Sequence, residues 1–150
     1  MKTLIIYNSV HQGNTKKIAE SMGKVLKAKL VKPDEIGLKE ILNYDLIGFG
    51  SGIYMWRHHR SLLDFVNRLP DLKDKRVFVF STAGKPDKLS HRRLKEKLES
   101  KGADIVGEFS CEGLDKFGPL RLIGGINKGR PNQKDLKNAE GFAKKLIKKM

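Results

Sequence analysis

Short apolar runs alternate with amphipathic stretches along the whole chain. Thr3–Tyr7 reads as a strand buried on both faces. From Asn14 to Ala28, Ile18, Met22, Val25 and Leu26 fall at helical spacing, with Lys16, Lys17, Glu20 and Lys24 mostly opposite. Leu30-Val31 is a short second strand, and Pro33-Asp34-Glu35 opens a turn leading to a brief helix near Leu38–Leu42. Asp45–Gly50 is a third strand that ends in the turn Gly50-Ser51-Gly52. Leu62, Leu63, Phe65, Val66 and Leu69 form the apolar side of a helix that Pro70 stops. Arg76–Ser81 is a fourth strand. Lys88–Lys101 is a charged helix expected to bury Leu89, Leu94 and Leu98, with Gly102 closing it. Ala103–Ser110 is a fifth strand. After a glycine-rich segment, Cys111–Pro131, the last helix presents Leu136, Ala139, Phe142, Ala143, Leu146 and Ile147.

Strand and helix thus alternate five times, which predicts one α/β domain over residues 1–150: a parallel sheet with right-handed crossovers and helices on both faces. Ligands of such sheets sit outside the carboxyl ends of the strands, where the winding reverses. The loops after the first, third, fourth and fifth strands are therefore where chemistry is expected.

Composition narrows the ligand. Thirty-one Lys and Arg against seventeen acidic residues give a net charge of +14, a field that attracts anions. Nucleic acid, an acidic lipid surface, an acidic protein and a phosphorylated small molecule all answer that description. No nucleic-acid motif accompanies the charge, so a nucleic-acid-binding module is the remotest reading and no nucleic acid is expected. No apolar run is long enough for a membrane span, which leaves peripheral contact open, and the first residues read as a strand rather than a signal peptide. A single cysteine, Cys111, excludes an internal disulfide and suits a reducing, cytoplasmic setting. It reads as a small buried residue rather than a redox thiol. No zinc-ligand spacing is present, and no metal is expected.

After the first strand comes Ser9-Val10-His11-Gln12-Gly13-Asn14-Thr15, and the helix begins at once. Unpaired amides of a first turn, a glycine that admits close approach, and nearby hydroxyls together make a phosphate cradle. The alternative is an ordinary helix cap supplied by Ser9 or Asn14. A P-loop needs a lysine between the glycine and Thr15, a dinucleotide loop needs three spaced glycines, and a phosphatase loop needs a cysteine; none is here.

The loop ending Gly13-Asn14-Thr15 resembles the phosphate loop of flavodoxins, and the likeness extends over nearly the whole chain. It is one residue longer, with His11-Gln12 in place of a hydroxyl residue. The resemblance implies a flavodoxin-like three-layer sandwich with a five-stranded parallel sheet of order 2-1-3-4-5, and flavin mononucleotide (FMN) as cofactor. The loop after the third strand, Ser51-Gly52-Ile53-Tyr54-Met55-Trp56, would then be the flavin-stacking loop. Aromatics in an unpaired loop need a flat partner such as the flavin ring, unless Tyr54 or Trp56 pins the loop to the core. Ser81-Thr82-Ala83-Gly84-Lys85, after the fourth strand, corresponds to the loop bordering the ring. Lys85 is as readily an ordinary turn residue.

Met55-Trp56-Arg57-His58-His59 is similar to the flavodoxin-like protoporphyrinogen oxidases, and His59 matches a histidine before their apolar helix. No residue is an evident general acid or base; His59 is the one candidate for moving a proton. The flavodoxin Trp-Gly pair is missing, because Arg57 follows Trp56. The implied function is electron carriage between redox partners, one of them acidic. The alternative is an oxidoreductase acting on an anionic small molecule or quinone. Arg57, His58, His59, Arg60 and Lys85 are expected to crowd the ring with positive charge, and the segment 111–131 to border it as a lid or to pack as a short element.

Overall fold

In the computed structural model, which describes residues 1–9, 13–54, 56–84, 86–113 and 129–150, the strand β1 (Thr3–Asn8) lies inside a parallel sheet. It is followed by α1 (Asn14–Leu26), β2 (Lys29–Val31), β3 (Leu46–Tyr54), β4 (Arg57–His58), α2 (Arg60–Asn67), β5 (Arg76–Ala83), α3 (Arg92–Ser100), β6 (Asp104–Glu112) and α4 (Gln133–Lys149). Single 3₁₀ turns cover Pro33–Glu35, Glu40–Asn43 and Lys88–His91. The sheet order is β2-β1-β3-β5-β6, all parallel, with the two-residue β4 folded back antiparallel on β3. Without β4, this is the expected order 2-1-3-4-5 in three layers.

The two faces bury different sets of residues. Leu4, Ile6, Ile47, Phe49, Val77 and Val79 meet Leu62, Phe65 and Val66 of α2 and Leu94 and Leu98 of α3. Ile5, Tyr7, Leu46, Phe78 and Phe80 meet Ile18 and Met22 of α1 and Ala139, Ala143 and Leu146 of α4. Alternation along each strand sends neighbouring residues to opposite layers. On the α1/α4 face, β3 offers only Gly48 and Gly50 where β5 brings Phe78 and Phe80. A Cβ at Gly50 would stand 2.3 Å from the Phe80 ring, and one at Gly48 2.3 Å from Phe78.

Three sequence expectations are corrected. First, β3 does not stop at Gly50 but continues to Tyr54, because Ile53 and Tyr54 pair with His58 and Arg57. Second, Leu89 is 78% exposed: residues 88–91 form a 3₁₀ turn, and the α-helix starts only at Arg92, so the helical register does not reach Leu89. Third, Cys111 belongs to β6 rather than to the following loop. Ile147 is exposed at the end of α4. Residues 114–128, where a lid or a short packed element was expected, lie outside the described residues.

The β6 edge carries a bulge. Val77 pairs with Ile105 and Phe78 with Gly107, leaving Val106 as the extra residue. Its carbonyl accepts a hydrogen bond of 2.8 Å from Lys149 Nζ of α4. Among the described residues, no helix is long and apolar enough to cross a membrane.

Candidate functional site

Parallel register brings the ends of β1, β3 and β5 level: Asn8 pairs with Ser51, Ser51 with Ser81, and Gly52 with Thr82. The loops after these strands therefore open onto one rim of the sheet. Gly13 is the N-cap of α1 at φ 71°, a left-handed conformation that suits glycine, and a Cβ there would meet nothing within 4 Å. The first turn of α1 has no acidic residue, so its partial positive charge is not offset locally. Ser9 Oγ accepts from the Lys16 amide, in the first turn of α1, at 3.2 Å. Asn14 lies against Gly113, beyond the end of β6. Thr15 is buried, its Oγ1 2.9 Å from that of Thr82. Val10, His11 and Gln12 lie outside the described residues.

The β3–β4 hairpin holds the expected aromatics, though not in an unpaired loop. Tyr54 is half-buried in strand pairing, its ring edge-on to His59 with centroids 5.2 Å apart, and its hydroxyl lies over Gly52. Trp56, at the tip, is 81% exposed and adopts φ 68°. It does not pin the hairpin to the core. Met55 lies outside the described residues. Gly52 and Ile53 are half-buried beside Tyr54. On β5, Ala83 and Gly84 are half-buried at the rim, and the Ala83 carbonyl accepts from the Gly113 amide at 3.0 Å. Lys85 lies outside the described residues.

Ser51 and Ser81 are fully buried, and their hydroxyls point to the α2/α3 face rather than across the rim. Ser51 Oγ bonds His58 Nδ1 at 2.9 Å, and Ser81 Oγ bonds His91 Nε2 at 2.6 Å. The histidines differ from expectation accordingly. His58 is buried, and burial together with the charge of His91 lowers it from 6.5 to about 3, so it adds no positive charge at the rim. His59 is the N-cap of α2: its Nδ1 accepts from the Ser61 amide at 3.1 Å, and burial lowers its basicity. Arg57 and Arg60 remain as exposed cations, Arg60 beside Asp64.

Cys111 is packed, its thiol pushed up to about 12 by burial first and by Asp135 next, which makes it inert at neutral pH. Arg130 reaches Glu112 at 2.8 Å and Asp135 at 2.7 Å, joining the chain beyond residue 128 to the end of β6. Sequence reasoning missed His91, Glu108, Lys95 and Ser110. The readable signal was a serine near the end of each of three successive strands: Ser51, Ser81 and Ser110.

Comparison with known proteins adds three findings. A family profile described as Flavodoxin domain matches residues 4–113. An uncharacterized protein of Methanocaldococcus jannaschii is 45% identical over 150 residues, with 99% of each chain covered. Among solved structures, oxidised flavodoxin 2 from Bacillus cereus superimposes with a TM-score of 0.75 at 22% identity, each chain covered completely. Fusobacterium nucleatum flavodoxin bound to flavin mononucleotide gives 0.71 at 18% identity, covering 100% of this chain and 99% of that one.

Proposed function

This chain belongs to the flavodoxin family, and on that basis we propose that it holds FMN at the rim of its sheet and carries electrons between redox partners. The observation that carries the reading is the meeting of the loops after β1, β3 and β5 on one rim, tied by the Thr15–Thr82 hydrogen bond.

The residues present fit the cofactor. Among the described residues nothing lies within 4 Å of a Cβ built at Gly13, at the amide end of a helix of 13 residues, which suits a terminal phosphate. Asn8 Oδ1, at the end of β1, is buried without a partner among the described residues, and a ligand hydroxyl would satisfy it. Residues 9–15 would hold the phosphate end. Gly52, Tyr54 and Trp56 would lie along one side of the ring, and the backbone of Thr82, Ala83 and Gly84 along the other. When bound, FMN supplies the electron-accepting and electron-donating chemistry. The chain's part is to bind, orient and tune. Arg57 and Arg60 favour added negative charge nearby and so raise the potential relative to an acidic site. His58, being neutral, does not contribute.

The excess of cations over anions, 31 against 17, favours an acidic protein partner, and one buried thiol suits a reducing cytoplasm. An oxidoreductase acting on an anionic small molecule or quinone is the alternative; His59, its candidate proton carrier, is engaged as a helix cap.

Titration of the purified chain with FMN, followed by quenching of flavin fluorescence, tests the reading. A protein that stays colourless and leaves the fluorescence unchanged ends it. On the loaded protein, transfer rates to an acidic protein acceptor that fall with added salt support the carrier. Turnover of a quinone without any protein acceptor supports the alternative.

A further inference from the structure

Beneath the rim, Ser51 of β3, Ser81 of β5 and Ser110 of β6 stand in register on the face covered by α2 and α3. Two histidines lie against this row. His58 and His91 are 1% and 0% exposed, with ring centroids 5.1 Å apart. Ser81 Oγ, bonded to His91 Nε2, donates to Ser110 Oγ at 3.2 Å. His91 Nδ1 lies 3.2 Å from Glu108 Oε1, and Lys95 Nζ donates to Glu108 Oε2 at 2.7 Å. Of the charged groups at this pair, Glu108 comes from β6 and Lys95 from α3. His59, at the start of α2, turns its ring to Ser61 instead.

The hydroxyl proton of Ser51 sets the tautomer of His58. Ser51 has one proton, donated to the Gly52 carbonyl at 2.7 Å, and its oxygen accepts from the His59 amide at 2.9 Å. His58 Nδ1 must therefore donate to Ser51. That leaves His58 Nε2 a bare acceptor, buried and without a partner among the described residues. At the other histidine, Nε2 lies 2.6 Å from Ser81 Oγ. His91 Nδ1 faces a carboxylate that can only accept. Burial opposes the charge on Glu108, but hydrogen bonds from Lys95 and His91 outweigh it and hold the carboxyl below its usual range. His91 Nδ1 thus donates to Glu108. Burial first, and the neighbouring His91 second, lower His58 far below its ordinary range.

We propose that His91 is a positioning residue for the β3–β4 hairpin: anchored by Glu108 and Lys95, its ring packs against that of His58 and holds it as the Nδ1–H donor to Ser51, which in turn holds the His59 amide and the hairpin bearing Tyr54 and Trp56. Two of these links, from His91 and Lys95 to Glu108, are charge-assisted and partly buried, which makes the clamp stiffer than a neutral one. The role rests on the reading that the hairpin borders FMN, while the clamp itself exists without it.

Long-range proton–nitrogen spectra of the imidazoles in the full-length protein, without FMN, test the clamp. His58 is expected as the neutral Nδ1–H form from pH 5 to pH 8. In His91→Gln, His58 should take up a proton at a higher pH than in the wild type. Exchange of the His59 amide should quicken about tenfold, and FMN should bind roughly tenfold more weakly, as expected for the loss of a hydrogen bond to a charged group. Glu108→Gln, at the half-buried margin, repeats the test in the same direction should His91→Gln fail to fold. The proposal is overturned by a wild-type His58 protonated at Nε2, or by variants whose His59 exchange and FMN affinity stay within about twofold of the wild type. A wild-type chain that takes up no FMN ends the functional reading alone, since the spectra of the unloaded protein still decide the clamp.

Discussion

Thr15 and Thr82 are 67 residues apart in sequence, yet their hydroxyl oxygens lie 2.9 Å apart in the buried seam between α1 and the end of β5. Each hydroxyl satisfies the other where water does not reach. Replacing one by valine strands its partner, at a cost of about 1–3 kcal/mol, whereas replacing both with the same shape is expected to cost much less. Urea midpoints of Thr15→Val, Thr82→Val and the double variant measure this directly. Additive losses in the double variant would show that the two hydroxyls are not coupled.

Trp56 combines an exposed side chain with φ 68°. Left-handed backbone costs a non-glycine residue about 1–2 kcal/mol. Trp56→Gly is therefore expected to keep or raise thermal stability while weakening FMN binding by up to about tenfold, in line with a lost aromatic contact of ~0.5–1.5 kcal/mol. A melting curve and a flavin titration on the same sample separate the two effects. Unchanged FMN affinity would remove Trp56 from the site.

His58 titrates near 3 in the fold against its ordinary 6.5. Between those values the unfolded chain binds a proton that the folded chain refuses. The stabilisation is complete above pH 6.5 and drains away as pH falls toward 3. The slope from this one group is at most about 1.4 kcal/mol per pH unit. His58→Asn can still donate to Ser51 but does not titrate, so its urea midpoint should change less than that of the wild type between pH 7 and pH 5. Parallel slopes for the two proteins would refute the assignment.

Two glycines should respond differently to alanine. At Gly50 the new Cβ would stand 2.3 Å from the Phe80 ring, inside a packed core, and the loss of stability is expected at about 1–3 kcal/mol or more. At Gly13 the space is open, so only the backbone objects, at about 1–2 kcal/mol, but the approach of a phosphate is obstructed. FMN affinity should thus fall for Gly13→Ala, and fall for Gly50→Ala only to the extent that the domain unfolds. Thermal melts paired with flavin titrations distinguish them.

The layer order was legible because β1 and β5 are almost wholly apolar and the helices show a clean three-to-four spacing. The hairpin was less so. Gly50-Ser51-Gly52 looks like a turn by composition, and nothing local reveals that the Ser51 hydroxyl accepts the His59 amide and keeps the strand going to Tyr54. Leu89 fits a helical face on paper, but the Asp87 side chain accepts from the Leu89 amide and starts a 3₁₀ turn there. At the site, the register places the ends of β1, β3 and β5 level. The polar layer beneath it could not be read, since His58 and His91 are 33 positions apart and meet only once β3 and β5 are adjacent. A histidine in sequence carries no mark of whether water reaches it.

The bulge at Val106 bears on how molecules of this protein meet one another. An outermost strand is an invitation to a neighbour's backbone. On β6 the extra residue breaks the regular ladder, and the Lys149 ammonium occupies a carbonyl that an incoming strand would need. At the opposite margin β2 runs only three residues and begins with a lysine. The bulge on one margin and the three-residue strand on the other both work against sheet extension, so fibril-like stacking at high concentration is disfavoured.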